Sequence, residues 1–147
     1  MNTEKNGFTF IEILAVLSII ALATIGVLSL RDWAASNARV ADAKVQIATL
    51  QSGVQQWRPR NGVYTGISIS ALSSVAAVPL DWEDGVSINP WGGDITVVAD
   101  ASDPTRYTIR LTNIRIAEEG QRLMRDYSEI SNSVTFSGNT LEVLFKG

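Results

Sequence analysis

The chain has 147 residues, a length that suits one domain of ordinary size. It contains neither Cys nor His, which excludes disulfides, thiolate and imidazole metal sites, thiol nucleophiles and the usual general base. The net charge of −3 argues against the concentrated basic surface that a nucleic-acid backbone requires, so no direct nucleic-acid binding is expected.

Apolar residues make up 46% of the chain but are unevenly placed. Residues 8–30 read FTFIEILAVLSIIALATIGVLSL, and Glu12 is the only ionisable side chain among them. As a helix rising about 1.5 Å per residue, the run reaches roughly 35 Å, enough to cross a ~30 Å hydrocarbon core. It exceeds the ~7–15 residues of a secretory signal's apolar core, and no A-x-A-like cleavage site follows it. Lys5 before the run and Arg31 after it leave the orientation undecided. A carboxylate inside such a helix costs several kcal/mol unless it is paired or protonated, which marks Glu12 as functional. The plainer alternative puts Glu12 near the membrane end of the helix, in reach of interfacial water.

The stretch Gly7-Phe8-Thr9-Phe10-Ile11-Glu12 resembles the processing site of type IV prepilins. In that family a short polar leader ends in Gly, and Phe, a few apolar residues and a Glu then open a long apolar helix. The resemblance implies a leader over residues 1–7 and cleavage between Gly7 and Phe8 by a membrane-embedded prepilin peptidase. It also implies N-methylation of Phe8, and a role for Glu12 in assembly, paired with the terminal amine of a neighbouring subunit's Phe8. The physics agrees. Cleavage creates a cation near Glu12 in a low-dielectric region, where each charge is costly alone and pairing offsets much of that cost.

Beyond the apolar run, Trp33, Ser36, Val40, Ala43, Ile47, Leu50, Val54 and Trp57 recur at spacings of three and four, a one-sided helical stripe. Residues 31–58 therefore form an amphipathic second half of the same helix, which Pro59 and Gly62 end. The stripe is too short and weak for a free coiled coil, so it packs on the chain's own head, residues 59–147. Gly26, inside the apolar half, is either a close-packing contact between helices or a weak point where the helix stretches or unwinds in a filament.

In the head, a short helix is expected over Ile69 to Val78, within a loop. Ser87-Ile88-Asn89-Pro90-Trp91-Gly92-Gly93-Asp94 reads as a turn built from Asn-Pro and Gly-Gly, in which the Trp91 indole is expected to be at least partly buried and to anchor the loop between helix and sheet. Strands follow at Ile95–Ala99 and from Arg106 to Asn113, then a helix at Ala117–Tyr127. Val134 to Phe136 and Leu141 to Phe145 make a hairpin about Gly138-Asn139. Asp81, Glu83 and Asp84 form an acidic cluster that reads as a solvated loop.

This order gives an α+β fold: a long N-terminal helix, transmembrane then amphipathic, packed on a C-terminal antiparallel sheet. From Asn89 to Tyr127 the head resembles those of type IVb-like pilins, including those of conjugative thin pili, although such pilins usually carry a disulfide. Asn-Pro-Trp-Gly is also similar to the major pseudopilins of type II secretion, which bind calcium in a late acidic loop that is not found here. The expected function is a structural subunit, a homopolymer forming a helical filament (a fimbrium) for conjugation, adhesion, motility or DNA uptake. The alternative is a pseudopilin. The expected partners are the inner membrane before assembly, the prepilin peptidase and the pilus assembly machinery. The expected location moves from inner membrane to extracellular pilus. A membrane-anchored enzyme or binding module is the reading from another class. No G-x-S-x-G, S-x-x-K or P-loop spacing supports catalysis, and no cofactor or metal is expected.

Overall fold

A computed structural model describes residues 7–147, so positions 1–6 of the expected leader lie outside the described residues. The elements are α1 (Phe10–Trp57), α2 (Ile69–Ser74), a 3-10 turn (Leu80–Trp82), β1 (Ile95–Ala99), β2 (Arg106–Leu111), α3 (Ala117–Tyr127), β3 (Ser133–Ser137) and β4 (Thr140–Lys146). The fold is α+β, a long N-terminal helix plus a four-stranded antiparallel sheet of order β1-β2-β4-β3. The chain divides between Asn37 and Ala38 into two units.

The first unit carries the apolar part of α1. Every residue from Gly7 to Ala35 is exposed. The most apolar 18-residue window has a mean hydropathy of 2.7 with 0% buried, and the helix is long and apolar enough to cross a membrane. Its hydroxyls turn back on the helix. Ser18, Thr24 and Ser29 donate to the carbonyls of Leu14, Ile20 and Ile25 at 2.8, 2.8 and 3.1 Å.

The second unit is built on the rest of α1. Val40, Ala43, Ile47, Leu50 and Val54 are buried in one cluster with Ile95, Ile109 and Val143 of the sheet. The expected stripe also included Trp33, which lies in the first unit and is 67% exposed. Periodicity defines a face, but only a partner surface buries it.

Alternation supplies the sheet's inner face. Ile95 pairs with Leu111 and Leu111 with Leu141; Val97 with Ile109 and Ile109 with Val143; Ala99 with Tyr107 and Tyr107 with Phe145. Three apolar rungs thus cross β1, β2 and β4, and each fully buried aliphatic side chain contributes about 1.5–3 kcal/mol. Gly138 and Asn139 have φ of 54° and 64°, the left-handed pair that a two-residue hairpin turn needs.

Two boundaries in the head differ from the sequence reading by more than one residue. Helix α2 ends at Ser74, not Val78, because Ala76 turns left-handed (φ 53°). The amides of Ala76 and Ala77 then close back on the carbonyls of Ser73 and Leu72 at 2.9 Å each, a Schellman closure. Strand β2 ends at Leu111, short of Asn113, whose φ of 65° leaves the extended region.

Candidate functional site

The first candidate region is the start of α1. Phe8 is 87% exposed, and a Cβ added at Gly7 would meet nothing within 4 Å. Thr9 and Glu12 form a reciprocal capping box. The Thr9 amide donates to the Glu12 carboxylate at 2.8 Å, and the Glu12 amide donates to the Thr9 hydroxyl at 3.3 Å. Two of the amides that a helix start leaves unsatisfied are thereby used. Glu12 therefore has a partner inside its own chain. Beside it, Phe8, Ile13, Val16 and Leu17 line a concavity of about 320 Å³. Gly26 continues the helix without a break, and a Cβ there would also meet nothing within 4 Å. Gly26 therefore has no close-packing contact among the described residues.

The second region lies in the head and is organised by Asn89. This side chain is 4% exposed. Its carbonyl accepts from the amides of Trp91 and Gly93 at 3.0 and 2.9 Å, and its amide donates to the carbonyls of Asp94 and Thr112 at 3.1 and 2.7 Å. These bonds fix the turn. Gly93 is required there, since a Cβ would collide with the Thr112 carbonyl and the Asn113 side chain. The Asn113 amide group holds the Trp91 carbonyl at 2.8 Å.

The turn directs Trp91 at a buried charge. Trp91 is half-buried against the core, and its indole N–H donates to the carboxylate of Glu119 on α3. Arg39 of α1 grips the same carboxylate through Nε and Nη2, the latter at 2.6 Å. The Glu119 side chain is 1% exposed. One carboxylate thus ties α1, the 89–94 turn and α3 together through charge-assisted bonds. Trp91 itself lies in the turn and is partly buried.

No family model, curated protein or solved structure matches the chain.

The remaining chemistry of the head is aromatic and acidic. Tyr64 and Tyr107 have ring centroids 5.3 Å apart, Tyr107 and Phe145 5.7 Å, and Tyr127 and Phe145 6.1 Å. Burial, reinforced by Tyr64, pushes the Tyr107 phenol up to about 12, against a smaller lowering from its bond to Gln51. Burial, with Asp126 beside it, pushes Tyr127 to about 12. In the β1–β2 turn, Asp100 is held below the usual carboxylate range, first by the Ser102 hydroxyl, and Asp103 likewise by the Thr105 hydroxyl.

Sequence reasoning missed three of these residues. Glu119 and Arg39 gave no signal, because adjacent acids in a helix and a basic residue off an apolar stripe usually face water. Thr9 gave one: T-x-x-E before an apolar run is the capping-box pattern.

Proposed function

We propose that this chain is a structural subunit of a type IV pilus-like filament, polymerising through its N-terminal helix. The single observation that carries this reading is the exposure of every residue from Gly7 to Ala35, in a helix apolar enough to span a bilayer. So large a continuous apolar surface requires an apolar partner. Lipid serves before assembly, and the helices of neighbouring copies serve after it.

The Gly7-Phe8 junction and Glu12 give the reading its mechanism. Prepilin peptidase removes residues 1–7, and Phe8 becomes the methylated terminus. The new amine of an incoming subunit then pairs with the Glu12 of a neighbour. Glu12 exchanges its own Thr9 amide for a full charge, which gives a stronger bond in a low dielectric. The chain thus moves from the inner membrane into an extracellular filament serving conjugation, adhesion or motility. Helical stacking is heterologous and does not close.

The deciding experiment is to purify surface filaments from cells that produce the chain, image them and identify the subunit by mass spectrometry. Filaments made of a chain that begins at methylated Phe8 are expected. Filaments that lack the chain, or cells that make none, would overturn the proposal.

A further inference from the structure

A groove of about 700 Å³ runs between the α2–turn segment and β1, the edge strand of the sheet. Its apolar lining is accessible: Leu80 is 73% exposed and Val98 46%. Its rim carries Asp81, Glu83 and Asp84, all exposed. The Val86 amide donates to Asp84 at 3.0 Å, but none of the three carboxylates has a cationic partner among the described residues.

The complementary surface is in the same chain. Arg58 and Arg60 flank Pro59 just beyond α1, both exposed and neither in an ion pair among the described residues. The sequence segregates these charges. No Asp or Glu occurs from Ala43 to Leu80, and no Lys or Arg from Asn61 to Thr105. Pro59 also holds Arg58 towards extended backbone, so the two guanidinium groups ride on a stiff segment.

We propose that this groove receives the Arg58-Pro59-Arg60 segment of a second copy of the chain. The proposal rests on the polymer reading above and adds a contact between globular regions of successive subunits to the contact between helices. A groove and its complement at different places on one subunit make a heterologous pair, which repeats along an assembly instead of closing into a dimer. Leu80 and Val98 take the aliphatic stems of the arginines, while their charged ends meet the three carboxylates. Charge of opposite sign on the two surfaces sets register and speeds docking.

Charge exchange in cells producing the full chain tests the contact. Arg58→Glu with Arg60→Glu puts like charges across it, as does Asp81→Lys with Glu83→Lys. Each pair should lower filament number about tenfold, and all four substitutions together should restore it to within about twofold. Unchanged numbers in the one-sided variants, or no recovery in the combined one, overturn the contact while leaving the polymer reading intact. Absence of filaments from the unsubstituted chain overturns that reading itself. Since charge reversal can disturb folding, a second measurement stands apart from it. Arg60→Cys with Glu83→Cys introduces the chain's only thiols, and a short bis-maleimide should convert assembled filaments into a covalent ladder of multimers. Filaments that yield only monomer after this treatment overturn the proposal.

Discussion

Trp91 donates its indole N–H to the buried carboxylate of Glu119. Arg39 holds the same group from α1, so losing either donor leaves the buried carboxylate short of a partner. Arg39→Ala is expected to cost about 3 kcal/mol, because it strands the Glu119 charge. Trp91→Phe keeps an aromatic ring but loses the N–H and part of the indole packed on the core, and should cost about 1–3 kcal/mol. Thermal melts of a soluble form that begins at Arg31 check both, and each kcal/mol should lower Tm by roughly 4–8 °C. Equal melting temperatures would show that the three-way contact does not hold the head together.

Gly120 reverses an ordinary rule. Gly to Ala inside a helix normally stabilises by up to about 1 kcal/mol. Here a Cβ would collide with the Phe136 ring of β3. Gly120→Ala should therefore destabilise by about 1–3 kcal/mol through overpacking. Adding Phe136→Leu should recover part of that loss, a coupling that a double-mutant cycle in urea measures directly.

The buried phenols set an alkaline limit. Tyr107 and Tyr127 titrate near 12 when folded, against an ordinary value of 10. Between these values the unfolded chain has lost protons that the native head retains, so stability falls as pH rises. The contribution is complete below pH 10 and disappears by about pH 12. Melts from pH 9 to 12 should show Tm dropping across this window, and Tyr107→Phe should flatten the drop.

Much of this head is legible in the sequence, where the signal is local. The bounds of β1 follow from its β-branched run, those of α3 from a short segment carrying apolar Leu123 and Met124, and Gly138-Asn139 announces its hairpin. The Glu119 network is not legible. Glu118 and Glu119 are neighbours of the same type, and only the tertiary position of Trp91 and Arg39 selects which is buried. The end of α2 was hidden for a similar reason, since Ala76 adopts a backbone conformation that Ala seldom takes. At the N-terminus the difficulty was competition between patterns. Glu12 belongs both to a prepilin-like motif and to a capping box with Thr9.

That double role sharpens a test of assembly. Gln also completes a capping box, so Glu12→Gln preserves the helix start and removes only the charge. Glu12→Leu removes both. If charge pairing admits the incoming subunit, both variants should insert, be processed and fail to form normal numbers of filaments. Normal filament numbers with Glu12→Gln would return Glu12 to a purely local capping role. Counting filaments by electron microscopy, with processed subunit measured in parallel, separates the outcomes.

Processing has its own test at Gly7. The residue is exposed and has open space around it, so Gly7→Val disturbs no contact in the folded subunit. A branched side chain at the scissile bond should block cleavage. Mass spectrometry should then find the unsubstituted chain beginning at Phe8 and the Gly7→Val chain still carrying residues 1–7. Normal trimming of that variant would mean that the peptidase does not read this position.

Within Phe10 to Leu30 the polar side chains are Glu12, Ser18, Thr24 and Ser29, and each is bonded to backbone of its own helix or to the Thr9 cap. None of the three hydroxyls is obliged to find a partner in its surroundings. They are therefore indifferent to which oily medium encloses them, and only Glu12 keeps a charge to be matched. If the chain polymerises as proposed, passing from acyl chains to a bundle of identical helices would break none of the three hydroxyl bonds, and neither would the return. On that reading, a subunit could be withdrawn into the bilayer without undoing a single hydroxyl contact to its neighbours.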